Sequence, residues 1–70
     1  MVNTKALKMR MLDHGVTVNE LADMVGIRPA YMSSLINGKR PLTLKVANSI
    51  QKALEIHNTD FGFYFLDGAE

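Results

Sequence analysis

Residues 17–39 read TVNELADMVGIRPAYMSSLINGK, and the fold follows from them. Thr17 and Glu20 have the T-x-x-E spacing of a capping box, so a helix should begin at Val18. Leu21, Ala22, Met24 and Val25 then supply a buried stripe about two turns long. Gly26 should end that helix, because a left-handed residue commonly follows a helix and glycine adopts it without strain. Ile27 is an apolar plug beneath the turn. Pro29 suits the first position of the next helix, where its missing N–H removes no hydrogen bond. Met32, Leu35 and Ile36 repeat at i, i+3 and i+4, which gives that helix one inner face. Asn37-Gly38 stops it. Ala22 is small where two helices must cross closely.

Two short amphipathic helices joined by a four-residue turn around Gly26 are the sequence form of a helix-turn-helix. That unit presents its second helix to the major groove of DNA. Outside the motif the pattern stays helical. A first helix should run from Thr4 to Leu12 or His14, capped by Asn3 or Thr4 and stopped by Gly15. Leu7 and Met11 form its inner face, with Ala6 or Leu12 beside them. Pro41-Leu42 connects to a fourth helix, capped by Thr43 and running from Leu44 to about Glu55. Its stripe is Ala47, Ile50 and Leu54, flanked by Val46 and Ala53. In the tail, Thr59 or Asn58 can cap a short fifth helix ending at Gly68. The strict alternation of Phe61, Phe63 and Phe65 argues instead for a strand; helix is the preferred reading. The expected architecture is all-α: one compact four- to five-helix bundle over residues 1–70.

The positions Leu21, Ala22, Gly26, Ile27, Met32, Leu35 and Asn37-Gly38-Lys39 resemble the Cro/CI-type (XRE-like) helix-turn-helix family of phage repressors and bacterial regulators. The likeness covers roughly residues 3–56 and implies a lambda-repressor-like DNA-binding domain. It also implies that Pro29, Ala30, Tyr31, Ser33 and Ser34 face the bases. This set is chemically sparse, since Ser pairs with several bases and Ala touches only a thymine methyl. DNA shape should therefore supplement direct readout. Arg28 stands in the N-cap slot of the second motif helix, where Ser, Thr or Asp would satisfy a free N–H. An Arg there accepts no bond and faces the positive end of the helix dipole. A phosphate or guanine partner accounts for it. Asn37 flanks the same helix within reach of base edges and is an expected phosphate contact. Lys39, Arg40 and Lys45 should follow a phosphate strand, with Lys5, Lys8 and Arg10 as weaker candidates. The free N–H groups at the start of the first motif helix, at Val18, are further phosphate donors. Relatives often have Gln at that position, and Val18 lacks its grip.

Many relatives also pair an Arg in the first helix with a Glu near the end of the recognition helix. The matching residues here are Met11 and Ile36. An apolar contact between them would avoid the desolvation cost of a buried ion pair.

Net charge is only +1, but its distribution is polar. Residues 1–45 carry seven basic and three acidic side chains, whereas residues 46–70 carry one basic and four acidic. This suits a domain with one side towards phosphates. The four tail aromatics, Phe61, Phe63, Tyr64 and Phe65, exceed what so small a core can bury, which points to a homodimer contact. There is no Cys, so neither disulfides nor thiolate metal sites are available. No segment has the length of a membrane span or the h-region of a signal peptide. These features suit the cytoplasm of a bacterium or a phage-infected host cell.

Catalysis has no support. His14 and His57 each fall at a helix end, where a C-terminal cap is the ordinary role. No phosphate loop, H-x-x-H or paired-carboxylate site occurs, and no metal or cofactor is expected. The expected function is a sequence-specific regulator that binds double-stranded DNA at a pseudo-palindromic operator as a dimer. The alternative rests on INGKRPLTLKVANSIQKAL with its aromatic tail, which is similar to antitoxins of the HigA kind. Those bind both DNA and a toxin protein.

Overall fold

The computed structural model describes residues 2–66. Every regular element among them is helical: α1 (Thr4–Asp13), α2 (Val18–Val25), α3 (Pro29–Ile36), α4 (Leu44–Ala53), a 3-10 turn (Asn58–Asp60) and α5 (Phe61–Phe65). The expected end of the tail helix at Gly68 lies outside the described residues.

The helix starts follow their caps. Asn3 accepts from the Ala6 N–H at 3.1 Å and begins α1. Thr17 and Glu20 close a reciprocal capping box on α2, with bonds of 2.9 and 3.1 Å. Thr43 accepts from Val46 and begins α4. Each such cap contributes about 1 kcal/mol. Gly26 ends α2 at φ 89°, and Pro29 opens α3. Three residues, Gly26 to Arg28, separate the helices, one fewer than the sequence suggests.

The core joins all five helices. Leu7 and Met11, Leu21 and Ala22, Met32 and Ile36, Ala47 and Ile50, Leu54, Ile56 and Phe65 form one buried cluster with Val2. Each large aliphatic side chain buried there contributes roughly 1.5–3 kcal/mol. α3 packs across α2 and touches α1, while α4 closes the other side of α2. Met11 and Ile36 are both buried in this cluster and line one groove between α1, the start of α2 and α3. Of the residues expected inside, Leu35 is buried apart from this cluster, Met24 is outside it, and of the alternatives Ala6 and Leu12 it is Ala6 that is partly buried. Leu12 and Met24 are 73% and 55% exposed. Each lies beside the inward stripe of its helix, and Ala6 and Val25 occupy the partly buried positions instead.

The tail is helical, and the competing strand reading fails on Tyr64. In a strand that ring would oppose Phe61 and Phe65. Here it is partly buried on their side, and Phe63 is the ring turned outwards. The Phe61 and Phe65 centroids lie 4.7 Å apart, one helical turn along. The segment is capped by His57, whose ring accepts from the Thr59 N–H, and not by Asn58 or Thr59. His57 thus serves a helix start, opposite to the C-terminal role expected of it. The two ends of the fold are joined: the Asn3 N–H donates to the Tyr64 carbonyl at 2.8 Å, and Asn3 Nδ2 to the Phe63 carbonyl at 3.4 Å.

Arg10 also departs from expectation. Its guanidinium donates to the Leu54 carbonyl at 3.1 Å and the Glu55 carbonyl at 2.8 Å. It caps the end of α4, where free carbonyls and the dipole favour a cation. That engagement removes Arg10 from the candidate phosphate contacts.

Candidate nucleic-acid interface

The inner face of α3 is closed by Met32, Leu35 and Ile36, each 1% exposed or less. Its other residues therefore face outwards. Pro29, Ala30 and Tyr31 are exposed, and Ser33 and Ser34 are half-buried. The face is neither covered by another element nor filled by large apolar groups. Arg28 occupies the N-cap of α3 with extended backbone and makes no side-chain cap bond. The N–H groups of the first turn of α3 thus lack that partner, and an exposed guanidinium stands beside them.

Lys39, Arg40 and Lys45 are exposed. The Arg40 guanidinium lies 6.0 Å from the Tyr31 ring centroid. That cation–π contact holds one basic side chain against the outer face of α3. Among the described residues, Arg28, Lys39, Arg40 and Lys45 have no carboxylate within ion-pair distance; the pair present is His14–Glu55, at 3.7 Å. At the start of α2, the capping box engages the N–H groups of Thr17 and Glu20. Val18 and Asn19, in the first turn, have no intrahelical partner for theirs.

Asn37 differs from the other candidates. Its Nδ2 donates to the Ser33 carbonyl at 2.9 Å and to Ser33 Oγ at 3.3 Å, and its backbone N–H also meets the Ser33 carbonyl. Its donors are engaged inside its own helix end, and a phosphate needs donors. Asn37 is therefore not carried forward as a phosphate contact. The Ser33–Asn37 coupling was not anticipated, although the i, i+4 spacing is its signal. Ser34 Oγ donates to the Ala30 carbonyl at 3.2 Å.

An exposed recognition-type helix rimmed by unpaired cations has one widespread use, and the comparison agrees. A family model described as helix-turn-helix matches residues 7–59. The chain belongs to this helix-turn-helix family. The match is consistent with the Cro/CI-type resemblance, and it makes the protein a DNA-binding transcription regulator of the XRE type. It contains the whole motif and ends before α5. The family is regulatory and generally non-enzymatic. No curated protein and no solved structure matches the chain. No described helix is long and apolar enough to cross a membrane.

Of the tail aromatics, Phe65 is buried in its own core, and Phe61 and Tyr64 pack against that core. Phe63 is 54% exposed, and Leu66 beside it is 64% exposed. Covering the core explains three of the four rings, which leaves a smaller apolar patch than composition implied.

Proposed function

We propose that the protein occupies a pseudo-palindromic operator as a homodimer and represses transcription by excluding polymerase. The supporting observation is the free outer face of α3, from Pro29 to Ser34, with uncompensated cations at Arg28, Lys39 and Arg40 around it. In this reading Ala30, Tyr31, Ser33 and Ser34 meet base edges, with Pro29 at the helix start. Arg28 reaches a phosphate or a guanine. Lys39, Arg40, Lys45 and the Val18 N–H hold the backbone. Phe63 and Leu66 supply the apolar part of the contact between copies. The same surfaces serve the antitoxin reading, in which a toxin takes the place of the second copy at the aromatic segment.

Selection of bound sites from random DNA tests this most directly. The expected product is an inverted repeat with half-sites one helical turn apart. Binding to it should fall steeply with salt. Four cations neutralised per subunit give a log–log slope of about −7 for a dimer. A flat salt response, or selected sequences with no shared motif, would contradict the proposal. Co-purification of a second, unrelated chain in place of a homodimer would favour the antitoxin.

A further inference from the structure

The groove between α1, the start of α2 and the end of α3 has a volume of about 400 Å³. Met11 and Ile36 are its buried floor. Leu12, Val16 and Val18 also line it, Leu12 largely exposed and the two valines partly buried. Folding therefore leaves a concave hydrocarbon surface open to water, of a size that holds a small molecule. Its charge is one-sided. Lys8 is the charged residue of the lining, it is exposed, and among the described residues no carboxylate lies within ion-pair distance of it. Thr17 and Ser33 add hydroxyls that can donate. One cation beside an apolar floor complements a molecule with one anionic head and a hydrocarbon body. A DNA strand, charged at every nucleotide, complements that floor poorly.

We propose that this groove binds a small aliphatic carboxylate of medium chain length, its head on Lys8 and its chain over Met11, Leu12, Val18 and Ile36, and that occupancy opposes DNA binding. The second clause rests on the operator-binding reading, because Val18 and Ser33 belong both to the groove and to the DNA surface assigned above. An anion held there repels the phosphates that this surface would meet. The first clause stands without DNA.

The test titrates the full chain with butanoate, hexanoate, octanoate and octanol and follows backbone amides by NMR. Shifts should saturate and stay near Lys8 to Leu12, Val16 to Val18 and Ser33 to Asn37. Affinity should rise about 2- to 4-fold for each methylene added to the acid. Lys8→Gln should weaken octanoate about 2- to 5-fold and leave octanol unchanged. Leu12→Gln, at an exposed position, should keep the fold and weaken both ligands about 3- to 10-fold. Shifts that never saturate, or that spread over the whole surface, overturn the site. Octanol bound as tightly as octanoate, with Lys8→Gln silent, overturns the carboxylate. Groove shifts that depend on protein concentration without ligand, and vanish in Leu12→Gln, give the groove to a second copy and overturn the proposal. Saturating octanoate should weaken binding of a selected DNA site about 5-fold or more relative to acetate at the same ionic strength. Unchanged DNA affinity with the groove filled overturns the competition. A wild-type chain that selects no DNA site overturns the operator reading and the competition with it, while the NMR titration decides the site by itself.

Discussion

Arg28 and Glu55 each hold a position where another residue would be more stable, but the reasons differ. Arg28 leaves the N-cap of α3 without a side-chain acceptor and puts a cation at the positive end of the helix. Arg28→Ser should raise stability by about 1 kcal/mol, or about 4–8 °C in Tm, and should weaken DNA binding. Thermal melts and titrations at one salt concentration read the two signs. A variant that melts higher and binds equally well would return Arg28 to an ordinary surface role. Glu55 has φ 54°. The Ile56 N–H meets the Gln51 carbonyl and the Glu55 N–H meets the Lys52 carbonyl, the bonds of a Schellman ending. α1 and α3 end the same way with Gly15 and Gly38 in the left-handed slot. A side chain in that slot costs roughly 1–2 kcal/mol. Glu55→Gly should recover about 1 kcal/mol, which denaturant unfolding will detect. The Glu55 carboxylate is 81% exposed, so its loss from His14 costs little.

At the scale of elements, the angle between α2 and α3 decides whether the reading surface fits a duplex. Ala22 is fully buried between α2 and the helices that pack on it. Ala22→Leu should cost about 1–3 kcal/mol through overpacking. It should also reduce DNA binding by more than the unfolded fraction explains, because α3 is displaced. Binding that follows the folded fraction alone would show that the crossing tolerates the larger side chain. The motif was legible in the sequence because its determinants are local: Thr17 with Glu20, Gly26, Pro29, and the Met32–Leu35–Ile36 stripe each act within one turn. Met24 was misread because an apolar residue beside a stripe has no obligation to be buried, and the choice between Ala6 and Leu12 was open for the same reason. The aromatic tail was ambiguous for a related reason. Phe61 and Phe65 share a face at a period of 2 and at 3.6, and it is Phe63 and Tyr64 between them that exchange faces from one to the other. The role of Arg10 depends on carbonyls brought near by folding, 44 residues away for Leu54, so spacing carried little signal, whereas His57 accepts from the Thr59 amide two residues on, a local signal read in the wrong direction. Within the site, the exposed face of α3 was legible, and the i, i+4 spacing of Ser33 and Asn37 allowed their bond without requiring it.

For the whole molecule, the family match covers the motif and stops short of α5, and the exposed apolar pair Phe63 and Leu66 follows that boundary. If the two side chains join copies of the chain, Phe63→Ser with Leu66→Ser should leave monomer stability within about 0.5 kcal/mol, as expected for surface sites. It should also convert a dimer to a monomer in sedimentation and remove cooperativity from operator binding. A wild-type chain that sediments as a monomer at high concentration would remove this surface from the account. The bond from the Asn3 amide to the Tyr64 carbonyl has a practical bearing on such work. Its deuterium uptake requires the two ends of the fold to part, from whichever side the opening starts. That single amide therefore acts as a clock for the join between the two ends, and anything that grips the aromatic segment against Asn3 should slow it.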